Sequence, residues 1–287
     1  MAEQTTLQDC STRLYDLAKR WWVAANGFRV GVVIAGVAAT LLGWAPLPAS
    51  LVAGALALAA WFTQYRSDVV RDQANDLRRD IDLQDGLGWP ISAMMLNDLS
   101  TQIGSFVSAE RPEKSYCASV LPAGPRRLVE NIRETGFFSE HLASTAAKIM
   151  WSATAVLCTL SVGGLFVTIA TVDDIEVVRT VGVVLASVLL FVEAAGVARL
   201  ALDYQGFRNA ACETKTQADR LLATDAITDT EALQVAETYF IHRARAPLLP
   251  DWVYGGLRML GVTLYRGRRD KLNALWERRY GVNSEAT

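Results

Sequence analysis

Four long apolar runs, arranged as two pairs, constrain this chain more than any other feature of its sequence. The first pair is Val30–Trp44 and Leu51–Phe62, and the second is Ile149–Val172 and Val181–Leu202. A short loop joins the members of each pair, and a long charged segment separates the pairs. A helix that crosses a bilayer needs about 20 apolar residues, and about 17 are tolerated. The pattern therefore predicts four transmembrane helices in two hairpins.

The composition fits a protein that lies partly in lipid and partly in water. Of the 287 residues, 51% are hydrophobic, yet 20% are charged. A soluble domain with this charge content rarely has such long uncharged runs, and a transporter built only of spans has fewer charges. The third run has no polar face at helical period, which a helix on the surface of a soluble bundle needs. The composition therefore favours membrane helices joined to a water-exposed helical region.

Lysine and arginine flank the apolar runs but are nearly absent from the loops within each pair. Residues 45–50 contain no charge, and residues 171–180 contain Arg179 against three acidic side chains. Cytoplasmic loops of membrane proteins are enriched in Lys and Arg. The pattern predicts a multi-pass protein of the bacterial inner membrane, with both termini and the central segment in the cytoplasm.

The predicted fold class is all-α, because short β-branched runs occur only inside the spans. Five segments are expected along the chain. They are an amphipathic N-terminal helix at 1–27, the first transmembrane hairpin at 28–65, a cytoplasmic helical region at 66–148, the second hairpin at 149–202 and a C-terminal cytoplasmic helical region at 203–287. Cytoplasmic helices are expected near 90–108, 125–148 and 229–244, and long helices should follow the second and fourth spans.

The sequence contains no pattern typical of catalysis or of a cofactor or metal site. It lacks a Walker-type glycine loop, a strand followed by GxGxxG, and HExxH. His141 and His242 have no Cys or carboxylate at ligand spacing, and the four cysteines are scattered as expected of free thiols. Asp80 and Asp82 lie in an arginine-rich helix, which indicates a solvated, salt-bridged surface. The chain is therefore predicted not to be an enzyme and to need no cofactor or metal.

Two ionisable residues fall within or beside the spans. Glu193 lies in the fourth run, about 9 Å deeper than Arg199 at 1.5 Å per residue. A carboxylate at this depth usually faces a bundle interior or water, so Glu193 is predicted to face a pore and favour cations, to pair with Arg29, or to lie near the water boundary. Arg29 is expected to snorkel towards the interface.

Two basic clusters are candidates for binding an anionic ligand. Arg126 and Arg127 follow Gly124–Pro125 at a predicted helix start, where free N–H groups add to the guanidinium groups. The second cluster lies in the tail, among aromatic residues, and consists of Arg266, Arg268, Arg269 and Lys271. Arginine beside aromatic rings suits phosphate and base recognition. The alternative is contact with acidic lipid headgroups or solvent.

Together, several stretches resemble the SMODS-associating four-transmembrane effector family of CBASS-type anti-phage systems, which use cyclic oligonucleotides as signals. These are RLYDLAKRWW before the first span, the two separated hairpins, GPRRLVENIRETGFFSEHLA before the third span, and the tail LLPDWVYGGL…RRDKLNALWERRY. The resemblance covers nearly the whole chain and concerns packing positions. Arg126 and Arg127 match the central basic stretch of the family, which makes them candidates for ligand sensing.

The resemblance implies a membrane effector that is silent until a cyclic oligonucleotide or a partner protein activates it. Activation would assemble a homo-oligomer that forms a pore in the lipid bilayer or disrupts it, which leads to abortive infection. A protein from a nucleotidyltransferase operon is a possible partner, and no DNA or RNA polymer is expected. Two other functions stay open on the residues alone: a constitutive small channel or transporter, and a membrane scaffold that recruits a cytoplasmic partner.

Overall fold

Helices dominate the described part of the chain. The computed structural model describes residues 5–41, 46–103, 107–108, 117, 119–171, 174–178, 180–182, 184–185, 196–249 and 273–280. The helices are α1 Leu7–Leu41, α2 Pro46–Leu87, α3 Ala93–Ile103, α4 Pro125–Thr171, α5 Val197–Leu222 and α6 Asp229–Arg245. Residues 273–280 are also helical. The described residues include one strand pairing, in which β1 (Thr5–Thr6) runs parallel to β2 (Val107–Ser108). The predicted all-helical class is confirmed apart from this two-residue pair.

Three helices, α1, α2 and α4, are long and apolar enough to cross a membrane. This finding supports a membrane protein in contact with lipid. Most of the fourth apolar run lies outside the described residues, so the fourth span and the arrangement in two hairpins stay predictions. The expected helix after the second span is confirmed, since α2 continues to Leu87. The helices expected near 125–148 and 229–244 correspond to the first half of α4 and to α6.

Local sequence signals explain where the long helices begin and end. At the start of α1, the Asp9 amide donates to Thr6 Oγ1 at 3.1 Å, and the Thr6 amide donates to Asp9 Oδ2 at 3.4 Å. This reciprocal capping satisfies N–H groups that have no partner within the helix. Helix α2 ends before Gly88, whose φ of 78° suits glycine. Helix α4 begins with a proline, which is tolerated in the first turn.

The chain divides into two compact units. One, named here the apolar unit, comprises Leu17–Val70 and Ala146–Asp203. The other, named the charged unit, comprises Met1–Asp16, Arg71–Thr145 and Tyr204–Thr287. The long helices α1, α2, α4 and α5 each contribute residues to both units. Each of these four helices therefore continues without a break in its own hydrogen bonding past the position where one unit ends and the other begins.

The apolar unit exposes large hydrophobic side chains along its helices. Leu47, Leu58 and Phe166 have exposed fractions of 72%, 69% and 70%. Monomeric soluble proteins rarely expose contiguous apolar surface on this scale. Backbone groups within a helix are already hydrogen-bonded, as hydrocarbon requires. The surface of the apolar unit is therefore suited to lipid.

Aromatic residues divide the lipid-facing part of each span from its flank. In each helix we count the residues between the aromatic side chain and the far end of the span. The count is 19 in α1, from Trp22; 19 in α2, to Tyr65; and 20 in α4, from Trp151. At 1.5 Å per residue these lengths are about 28–30 Å, the thickness of a hydrocarbon core. The first two apolar runs are short by themselves, but the helices that contain them are long enough to span.

The core of the charged unit lies where α4, α5 and α6 pack together. Its large, fully buried side chains include Leu128, Ile132 and Phe137 of α4, Tyr204 of α5 and Tyr239 of α6. Tyr239 Oη lies 2.8 Å from Ser139 Oγ, and Tyr204 donates to the carbonyl of Leu248 at 2.6 Å. Both hydroxyl groups are therefore hydrogen-bonded within an otherwise apolar core, which buried tyrosine requires.

Helix α6 begins with a complete capping box. The Glu231 amide donates to Thr228 Oγ1 at 3.3 Å, and the Thr228 amide donates to Glu231 Oε2 at 2.9 Å. We expect Thr228→Ala to lower the free energy of unfolding of the charged unit by about 1 kcal/mol. Urea unfolding of the full-length protein in mild detergent measures the loss. Thr228→Ser keeps the hydroxyl and should restore most of it, and equal losses for both variants would contradict the capping role.

Candidate functional site

A row of polar side chains lies along one face of the second half of α2. Its members are Arg71, Asn75, Arg78, Asp82 and Asp85, at alternating spacings of four and three residues, and they are named here the α2 polar stripe. This spacing places them on one side of a helix. Arg78 and Asp82 are each only 6% exposed, and the other three are half-buried. Buried charge is costly unless it is paired, so the contacts of this stripe decide what it can do.

One half of the stripe connects α2 to α1 and α6. Arg78 Nε lies 3.1 Å from Asp82 Oδ1, and Arg243 Nη1 of α6 lies 3.7 Å from Asp82 Oδ2. The same guanidinium donates from Nη2 to the hydroxyl oxygen of Tyr15 in α1 at 3.1 Å. Tyr15 in turn donates to Asn75 Oδ1 at 2.7 Å. Ion pairs and hydrogen bonds therefore join these three helices.

The other half of the stripe connects α2 to α4. Arg127 Nη2 donates to Asp85 Oδ1 at 2.9 Å, and Asn131 Nδ2 donates to Asp85 Oδ2 at 2.7 Å. Arg127 also donates from Nη1 to the Leu121 carbonyl at 2.5 Å. The side chains of Arg127 and Asp85 are only 10% and 16% exposed. Both carboxylate oxygens of Asp85 therefore have partners on α4.

These contacts restrict how the helices around the stripe can pack. A buried ion pair adds little net stability over apolar packing, but loss of one partner leaves an uncompensated buried charge. Such a network has few intermediate arrangements, because each charge must keep a partner. The stripe therefore holds α1, α2, α4 and α6 of the charged unit in one defined arrangement.

Asp82 was expected on a solvated surface, and this expectation is wrong. Its side chain is 8% exposed, between Arg78 on its own helix and Arg243 on α6. The salt-bridged character is confirmed, but the solvated surface is not. The physical reason is that Arg243 comes from a distant part of the chain, so local charge content cannot distinguish a solvated helix from one buried with its counterions. The regular spacing of the stripe was the signal that could have revealed it.

Arg126 and Arg127 are both engaged within the charged unit. Arg127 bonds Asp85, as described above. Arg126 is exposed and donates to the carbonyls of Leu222 at 3.1 Å and Thr224 at 3.4 Å, at the end of α5. A cation at a helix C-terminus is favourable because the last carbonyls have no partner in the helix. The sequence interpretation missed these roles, and binding of an anionic ligand by either residue stays a prediction.

Arg29 lies within the apolar unit and bridges α1 and α2. Its guanidinium donates to Asn26 Oδ1 at 3.1 Å and to Gln64 Oε1 at 3.3 Å. Asn26 lies one turn earlier in α1, and Gln64 precedes Tyr65. These contacts lie on the side of Arg29 that is nearer the aromatic residues, and snorkelling of Arg29 towards the interface stays a prediction. Glu193, Arg266, Arg268, Arg269 and Lys271 lie outside the described residues, and their roles stay predictions.

The helical segment 273–280 packs on α4 through an aromatic cluster that the sequence analysis did not single out. Trp276 is 5% exposed, and its ring centroid lies 5.3 Å from that of Phe137. The Arg133 guanidinium lies over Tyr280 at 4.4 Å and over Trp276 at 5.4 Å. Cation–π contacts and aromatic burial both favour this docking. The pair Trp276 and Tyr280, one helical turn apart, was the available signal.

Burial and hydrogen bonds act on three titratable groups of the charged unit. Burial raises the pKa of the Cys117 thiol well above its ordinary value, so the thiol stays protonated. Burial also raises the pKa of Tyr239. His141 Nδ1 lies 2.8 Å from the Phe137 carbonyl, and all four cysteines are free thiols. Within the described part of the chain, no group of three or more His, Cys, Asp or Glu residues could hold a metal ion.

No family model, no curated protein and no solved structure matches this chain.

Proposed function

We propose that this chain is a gated membrane effector of bacterial anti-phage defence. A cyclic oligonucleotide or a partner protein engages the charged unit from the cytoplasm. Homo-oligomers of the apolar unit then form a pore in the inner membrane or disrupt it, and the infected cell is arrested. The observation that carries the proposal is that four long helices each contribute residues to both units.

Helix α2 is the clearest example of a helix that contributes residues to both units. It is 42 residues long, and it contains the lipid-suited residues up to Tyr65 and the polar stripe from Arg71 onward. An α-helix propagates a rotation or translation along its axis because every turn is hydrogen-bonded to the next. A signal that repacks the stripe therefore has a mechanical route into a membrane helix. The proposal requires that the stripe has a second arrangement, in which its charged groups have other partners.

A constitutive channel is less well supported by the described part of the apolar unit. A permanently open path needs polar side chains that face it at membrane depth. Thr63, Thr154 and Thr168 instead donate to carbonyls one turn earlier in their own helices, and Ser67 donates to the Ala18 carbonyl. The hydroxyl groups described here thus serve helix and packing contacts.

Dye release from proteoliposomes tests the proposal. Full-length protein is reconstituted in vesicles that contain a self-quenched dye, and a panel of cyclic di- and trinucleotides is added. We expect release only with an activating nucleotide. Release without any nucleotide would support a constitutive channel. If the vesicles stay intact with every nucleotide, and cells that express the chain also keep their membrane potential during phage infection, the proposal is wrong.

A pair of variants tests the part played by the α2 polar stripe. Arg243→Gln removes the cation that contacts Asp82 and Tyr15. We therefore expect the nucleotide concentration for half-maximal dye release to change by at least about fivefold. This change corresponds to about 1 kcal/mol. The matched control is Arg79→Gln, which breaks the exposed pair of Arg79 with Glu237, 2.5 Å apart, on the same two helices. Exposed pairs contribute little, so this control should stay within about twofold.

A further inference from the structure

Exposed aromatic rings mark one level of the apolar unit. Trp61 and Tyr65 of α2 stack with centroids 6.1 Å apart and planes inclined by 14°, although their exposed fractions are 68% and 55%. Trp151 of α4 is 42% exposed. Exposed, ordered aromatic residues suit the headgroup level of a bilayer, where one edge of the ring is wet and the rest apolar. They lie at the flank of the spans of about 28–30 Å identified above.

Exposed cations accompany these aromatic residues on three different helices. Arg20 precedes Trp22 by two residues, Arg66 follows Tyr65 directly, and Lys148 precedes Trp151 by three. Each lies within one helical turn of its aromatic neighbour, on the flank away from the apolar run. All three are exposed. They are named here the cationic belt.

Acidic side chains also lie near the belt. Within four positions of the three cations, the chain has Lys19 as a further cation and two acidic residues, Asp16 and Asp68. The net charge around the belt is therefore positive, with four cations against two carboxylates. The membrane-facing aromatic rings and the positive charge occur together in one unit, so the complementary partner is an anion that lies at a bilayer surface.

We propose that the cationic belt binds the phosphate groups of anionic phospholipids. Arginine and lysine form charge-assisted hydrogen bonds with phosphate, and the neighbouring rings rest against the acyl boundary. A lipid headgroup is favoured over a free phosphate because the three cations project from three helices beside lipid-suited surface. The inference rests on the membrane placement of the apolar unit and does not depend on gating or on anti-phage activity.

Quenching of tryptophan fluorescence by brominated lipids tests the proposal. Full-length protein is reconstituted in bilayers that contain brominated phosphatidylglycerol or brominated phosphatidylcholine, and the relative binding constant is obtained from the quenching. We expect a preference for phosphatidylglycerol that falls as salt rises. Replacing one of these cations by glutamine should lower the relative binding constant for phosphatidylglycerol at its site by about fivefold. This estimate follows from about 1 kcal/mol per cation near the membrane surface. Added glycerol 3-phosphate at millimolar concentration should not compete.

Two triple variants make the result specific. Arg20→Gln with Arg66→Gln and Lys148→Gln should lose the preference, and a control with Arg13→Gln, Arg208→Gln and Arg220→Gln should keep it. The control removes the same charge from exposed positions of the charged unit. A conservative triple with Arg20→Lys, Arg66→Lys and Lys148→Arg should also keep it. Equal quenching by the two lipids, equal loss in both glutamine variants, or competition by glycerol 3-phosphate would overturn the proposal.

Discussion

Replacing Asp85 by alanine is expected to lower the free energy of unfolding of the charged unit by about 3–5 kcal/mol. The substitution leaves the Arg127 guanidinium largely buried and without its carboxylate, 2.9 Å away in the native protein. The Asn131 amide loses its acceptor at the same time. A loss of this size is a large fraction of the stability of an ordinary domain, so unfolding at a lower urea concentration should be easy to detect.

Urea unfolding of the full-length protein in mild detergent, followed by tryptophan fluorescence, measures this effect. Asp76→Ala is the matched control, because Asp76 is exposed on the same helix and its loss should change stability by no more than about 0.5 kcal/mol. The double variant Asp85→Leu with Arg127→Met removes both charges and should recover much of the loss. If Asp85→Ala is no less stable than the control, the pair is not buried as described.

Gly86→Ala is the second substitution with a large expected effect, and its sign is diagnostic. A Cβ atom at this position would lie 2.9 Å from Leu128 Cα and 2.7 Å from Leu128 Cδ1. The backbone of α4 must therefore move away from α2. Overpacking of this kind costs about 1–3 kcal/mol, whereas alanine in place of a helical glycine otherwise stabilises by about 1 kcal/mol. The clash should win, because a backbone atom cannot rotate aside as a side-chain end can.

Gly206→Ala is the control for this prediction. Gly206 lies in α5, and a Cβ atom there meets nothing within 4 Å. This variant should be more stable than the native chain by about 0.5–1 kcal/mol, while Gly86→Ala should be less stable in the same urea titration. Adding Leu128→Ala to Gly86→Ala removes the Cδ1 contact but leaves the clash with Leu128 Cα. Stabilisation by Gly86→Ala would show that α2 and α4 are further apart than described.

Much of the helical framework followed from local signals. The starts of α4 at Pro125 and of α6 at Asp229 agree with the helices expected near 125–148 and 229–244, and α2 continues beyond the second span as expected. Hydropathy over about 20 residues likewise predicted four spans, and three of the described helices are long and apolar enough to cross a membrane. These features depend on residues within a few turns of each other, which is why a linear reading of the chain reaches them.

The candidate site was predicted less well. The basic residues Arg126 and Arg127 were singled out for their charge, but their described contacts are a helix C-terminus and the buried carboxylate of Asp85. Charge shows that a residue can bind an anion, not which anion it meets. Asp85 is 42 positions from Arg127, and Asp82 is 161 positions from Arg243. Pairings at such separations depend on how the helices pack.

By itself, the sequence determined that this chain has membrane-suited helices and a charged, water-suited helical region, because hydropathy, capping and turn chemistry act over short distances. The tertiary structure alone decided which charges are buried and which partners they keep. The same arginines and aspartates on α2 are equally compatible with a helix face exposed to solvent. They form the α2 polar stripe only because α1, α4 and α6 bring Tyr15, Arg127 and Arg243 against that face.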